Sequence, residues 1–61
     1  MPIVTVKMIE GRTDEQKRAL VAEMTEVIVR NTNAPAENVT IIIEEMKKSH
    51  YAKAGVLASD Q

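Results

Sequence analysis

Three consecutive isoleucines, Ile41 to Ile43 within VTIIIEE (residues 39–45), constrain this chain more than any other feature. A β-branched run of this length suits a strand. Successive strand side chains point to opposite faces, so the middle of this strand is apolar on both. A strand with two apolar faces is normally covered on both sides. Only one segment of the chain has helical periodicity, so one face can be covered from within and the other requires a second copy. The length points the same way. A domain of 61 residues buries only about 60% of the surface its unfolded chain exposes. A single core below about 70–80 residues rarely supplies more than roughly 3–5 kcal/mol. With no cysteine there is neither a disulfide nor a thiolate metal site to add to that. The single histidine cannot hold a metal without carboxylates or neighbouring subunits. Self-association remains, around an aliphatic core, since the chain has no Trp or Phe and one Tyr.

The remaining pattern predicts an α+β domain spanning 1–61, a β-α-β unit with a short C-terminal hairpin. Ile3 to Ile9 alternates as a strand, with Val4, Val6 and Met8 on an apolar face and Ile3, Thr5 and Lys7 on a mixed one. Gly11 suits the turn that follows. Thr13 is the expected helix N-cap, with Gln16 completing a capping box and Asp14 and Glu15 favourably placed in the first turn. Leu20, Val21, Met24, Val27 and Ile28 form one helical stripe. Asp14 with Arg18, and Glu26 with Arg30, are expected ion pairs one turn apart. The helix should end within NTNAP (31–35), where Pro35 disfavours helical geometry at Ala34. The second strand, Val39 to Glu45, is then expected to lie parallel to the first through a right-handed crossover. Residues 51–57, with Gly55 between small apolar residues, are expected to form a hairpin or arm.

Composition excludes several functions. Eight basic and nine acidic residues are well mixed, and no basic stripe alternates with aromatics, which argues against nucleic-acid binding. No apolar run approaches the roughly 20 residues needed to cross a bilayer. Nothing at the N-terminus has the layout of a signal peptide, so a cytoplasmic location is the default expectation. No glycine-rich phosphate loop and no Ser-His-acid spacing stands out, although Ser49, Ser59 and His50 are present.

Pro2 draws attention instead. A proline is well tolerated as the first residue of a strand, and that alone accounts for it in most proteins. Were Met1 removed, Pro2 would present a free secondary amine. An α-amino group titrates at about 7.7–8.0 in small peptides, and apolar surroundings lower that value. Such a base is suited to moving protons between oxygen and carbon near neutral pH. With Met1 attached, the same nitrogen is a tertiary amide and no base at all. Arg12, in the turn after the first strand, reads either as a solvated charge or as a planar fork for a carboxylate. Tyr51, the sole aromatic residue, reads either as an interface plug or as the apolar wall of a site.

Taken together, PIVTV at residues 2–6, IEGRTDEQKR at 9–18, Ala34-Pro35, and IIIEEMKKSHYAKAG at 41–55 resemble the short-chain 4-oxalocrotonate tautomerase family over essentially the whole chain. The resemblance implies a tautomerase fold whose β-α-β subunits assemble, commonly as hexamers built from dimers, with an active site made across subunits. It implies Pro2 as the catalytic group, shuttling a proton as a 2-hydroxydienoate such as 2-hydroxymuconate becomes its 2-oxo-3-enoate isomer, without metal or organic cofactor. Arg12 would bind the substrate's distal carboxylate. Tyr51 stands where an aromatic ring helps keep the proline pKa low. Thr40 departs from the family pattern, which places a second arginine there to engage the 2-oxo and carboxylate end. Asn38 stands where a serine is common. Arg30, Lys47 and Lys48 are the candidates to replace the missing charge. The expected partners are a small carboxylated enol and further copies of the chain. Other readings are a hydratase or decarboxylase of the same superfamily, or a non-catalytic oligomerising module.

Overall fold

The computed structural model describes residues 2–61; Met1, and with it the question of its removal, lies outside them. Strand β1 (Ile3–Ile9) leads through a four-residue turn into helix α1 (Asp14–Thr32). A 3-10 turn (Ala36–Asn38) follows, then strand β2 (Thr40–Met46), a second 3-10 turn (Lys48–His50), and the short strands β3 (Ala52–Lys53) and β4 (Val56–Leu57). A last 3-10 turn covers Ala58–Asp60.

β1 and β2 pair in parallel, from Ile3 opposite Thr40 to Ile9 opposite Met46. The ladder runs one step past both ends: Thr40 N–H donates to Pro2 O (3.0 Å) and Glu10 N–H to Met46 O (2.8 Å). This is the expected β-α-β unit, with β2 displaced one residue from the anticipated start and finish. β3 and β4 form the C-terminal hairpin, antiparallel and separate from the first sheet. Its two turn residues, Ala54 (φ 52°) and Gly55 (φ 80°), are both left-handed, the conformation that lets a two-residue loop follow strand twist.

The capping box at the start of α1 is formed: Gln16 N–H donates to Thr13 Oγ1 (3.1 Å) and Thr13 N–H to Gln16 Oε1 (2.9 Å). The helix ends at Thr32 because Asn33 turns left-handed (φ 60°) and returns its N–H to Val29 O. Two side chains help occupy the last carbonyls, Asn31 Nδ2 on Val27 O and Thr32 Oγ1 on Ile28 O. The expected pairs Asp14–Arg18 and Glu26–Arg30 are not formed. Asp14 lies instead 3.8 Å from Lys17, whose ammonium is 2.7 Å from Glu45 on β2. A cross-element carboxylate on the helix's inner side outcompetes solvated partners one turn away, since exposed pairs gain little over water.

The helix covers one sheet face: Val4, Val6, Met8, Ile41 and Ile43 are half-buried there, as are Leu20, Val21, Met24 and Ile28 of the helical stripe, while Val27 of that stripe is 47% exposed. On the opposite face the described residues reach only the far end, where Tyr51 shares a hollow with Lys7, Ile9 and Met46, and Ile3 and Ile42 are 57% and 43% exposed. None of the described residues is fully buried. The accessible surface, 4785 Å², exceeds the roughly 4,000 Å² expected of a folded monomer of this mass. The radius of gyration, 14.6 Å, likewise exceeds the roughly 10.5 Å of a compact chain of this length. A single protomer is a thin slab with half a core.

Candidate functional site

Five residues were singled out by sequence, and the fold divides them between two ends of the sheet. Pro2, Asn38 and Thr40 gather at the start of the strands. The hydrogen bond from Thr40 N–H to Pro2 O ties Pro2, the residue before β1, into the ladder, and Pro2 is half-buried there. Asn38 closes the preceding 3-10 turn, its N–H on Pro35 O (2.9 Å). Thr40 stands opposite Ile3 and is exposed. The side chains of Asn38 and Thr40 bring hydrogen-bonding capacity without charge.

Arg12 and Tyr51 lie at the other end. Parallel pairing dictates this, because the turn after β1 and the segment after β2 leave the sheet from the same end. Arg12 is exposed, and among the described residues its guanidinium has no ion pair or hydrogen bond. It lines an open hollow with Met8, Gln16, Lys17 and Leu20. Tyr51, 42% exposed, lines a neighbouring hollow with Lys7, Met8, Ile9 and Met46. Met8 lines both. At ~3.3 Å per strand residue the seven residues of β1 span about 20 Å from first to last, and Pro2 and Arg12 lie off its opposite ends. No small molecule touches both, so a site using both requires two copies.

The candidates for a second cation separate in the same way. Lys47 and Lys48 follow β2 and lie at the Arg12 end. Arg30, in the last turn of α1, lies at the Pro2 end because the helix runs back against the strands. His50 belongs to the second 3-10 turn next to Tyr51, its N–H on Lys47 O, and lines neither hollow. Among the described residues, no cluster of three or more His, Asp or Glu could hold a metal ion, and no helix is long and apolar enough to cross a membrane.

Sequence reasoning missed Lys17 and Glu45. Their 2.7 Å contact joins the first turn of α1 to the end of β2. The hydrogen bond to Glu45 raises the Lys17 pKa above its ordinary value against the opposing effect of burial, and the charges of Glu45 and Asp14 act in the same direction. No local spacing signals a pair 28 residues apart.

A parallel β-α-β unit with one helix and a short antiparallel C-terminal hairpin has the layout of the tautomerase fold. The chain belongs to the tautomerase family, whose model, described as Tautomerase enzyme, matches residues 2–61. It is 58% identical over 60 residues to 2-hydroxymuconate tautomerase of Bacillus subtilis, covering 98% of this chain and 97% of that one. The crystal structure of YwhB, a homologue of 4-oxalocrotonate tautomerase, superposes with a TM-score of 0.94 at 57% identity, covering 98% of each chain. A heterohexameric 4-oxalocrotonate tautomerase from Chloroflexus aurantiacus gives 0.91 at 27% identity, covering 98% of this chain and 97% of that one. Membership supports isomerase activity as the general class.

Proposed function

We propose that this chain is a cofactor-independent tautomerase that converts 2-hydroxymuconate and similar 2-hydroxydienoates to 2-oxo-3-enoates, with Pro2 as base and then acid after removal of Met1. One observation carries the reading: Pro2 is half-buried at the head of the sheet, its carbonyl accepting from Thr40 N–H. Once Met1 is removed, the ring fixes the lone-pair direction of that nitrogen, and partial withdrawal from water disfavours its charged form.

The proton balance is simple. The proline nitrogen takes the proton of the 2-hydroxyl group. The oxygen becomes a carbonyl, the C2=C3 pair moves to C3=C4, and the C4=C5 pair takes the proton back from the same nitrogen at C5. Arg12 of a second copy anchors the distal carboxylate through its free guanidinium, and Tyr51 of a second copy closes an apolar wall. Asn38 and Thr40 stand beside Pro2 as uncharged hydrogen-bonding groups for the carbonyl end. The uncovered face at Ile3 and Ile42 and the excess surface of the lone protomer favour the self-association that this composite site requires.

An ultraviolet assay with 2-hydroxymuconate, on protein whose mass verifies loss of Met1, tests the proposal. Pro2→Ala is expected to lose nearly all turnover while keeping the wild-type oligomeric state. Undiminished turnover in that variant would overturn the assignment.

A further inference from the structure

The segment carrying Arg12 is tied down on both sides, and both ties end on the last two residues of β2. Before it, Glu10 N–H donates to Met46 O at 2.8 Å. Beyond it, Lys17 Nζ reaches Glu45 Oε1 at 2.7 Å. Between them lie Gly11, at φ 128° where a side chain would be strained, then Arg12 and the N-cap Thr13. The capping box and the bond from Lys17 N–H to Thr13 O (3.1 Å) pass the restraint from Lys17 back to the loop. Lys17 and Arg12 also face the same hollow. Glu45 engages the Lys17 charge, so Arg12 is the cation there left without an internal partner.

The geometry points to the Lys17–Glu45 bridge as the positioning device for Arg12. It fixes the turn on which the guanidinium is carried, and it withdraws the neighbouring ammonium from competition for the substrate's carboxylate. This inference rests on the proposed tautomerase reading, in which Arg12 anchors that carboxylate. Neither Lys17 nor Glu45 touches substrate in this account; both act through Arg12.

Removing one partner would leave a stray charge in the hollow, so the test uses two net-neutral double variants. Lys17→Met with Glu45→Gln deletes the bridge and keeps the Lys17 stem's packing. Lys17→Glu with Glu45→Lys reverses it. Misplacing a binding group by about 1 Å can cost as much as ~100-fold; a loosened turn should cost less. The deletion is expected to raise KM for 2-hydroxymuconate about three- to tenfold. Its kcat should change less than about twofold, and KM for the monocarboxylate phenylenolpyruvate should stay the same. The reversed pair should restore most of the lost affinity. An unchanged KM for the dicarboxylate in the deletion variant, or an equal rise for both substrates, overturns the positioning role alone. Absence of turnover in the wild-type protein overturns the tautomerase reading and this inference together.

Discussion

Replacing Ile42 with aspartate should dismantle the assembly and the fold in one step. Ile42 lies mid-strand on the uncovered sheet face, opposite Thr5 and 43% exposed in the lone protomer. Full burial of an isoleucine contributes about 1.5–3 kcal/mol, so covering the remaining exposed fraction contributes about 0.6–1.3 kcal/mol per copy. A carboxylate buried there without a partner costs several kcal/mol more. A chain of this length has in total about 3–9 kcal/mol of stability, and part of that belongs to the contacts between copies. Ile42→Ala should therefore shift dissociation to roughly tenfold higher protein concentration. Ile42→Asp should sediment as a monomer and lack a cooperative melt. Sedimentation velocity over a concentration series, paired with circular dichroism melts of the same samples, reads both effects. A folded, monomeric Ile42→Asp protein with the wild-type melting temperature would refute the argument that one chain holds only half a core.

Three further outcomes follow from named contacts. Arg12→Ala should raise KM strongly for dicarboxylate enols and little for monocarboxylates, read by steady-state kinetics on both; equal effects would deny it the anchoring role. Ala54 occupies a left-handed turn position (φ 52°) that costs an ordinary residue about 1–2 kcal/mol; Ala54→Asn should raise the melting temperature by stabilising the hairpin by about 0.5–1 kcal/mol. The raised Lys17 pKa means that its contribution to stability is fully present below 10.5 and is lost as pH climbs through the higher folded value. The melting-temperature gap between the wild type and the Lys17→Met/Glu45→Gln variant should hold steady to about pH 10 and close above it.

Local chemistry was readable from the residues wherever a few neighbours settle it. The Thr13–Gln16 capping box, the alternation of Ile3 to Ile9 and the helical stripe from Leu20 to Ile28 all concern groups within one turn or a few strand residues. The isoleucine run went further and implied a missing cover, and the surface and radius of the protomer bear that shortage out. Arg18 and Arg30 misled because correct spacing on a helix does not make an ion pair when both partners are well hydrated. Lys17 chose a carboxylate on another element, and only the register that sets Met8 beside Glu45 reveals why it is in reach. The candidate site was legible as a set of residues but not as a place. Pro2 and Arg12 are ten positions apart in sequence, yet the strand between them carries them to opposite ends of the sheet. The left-handed turn at Ala54 left no trace, since alanine carries no preference for it.

The central claim is that the proline nitrogen moves the proton, and one comparison tests it most directly. Two forms of the same chain, one beginning at Pro2 and one retaining Met1, both verified by intact mass, are to be assayed on 2-hydroxymuconate at equal concentration. The account predicts turnover in the form that begins at proline and almost none in the form whose nitrogen is locked in an amide. Equal turnover by the two forms would contradict it.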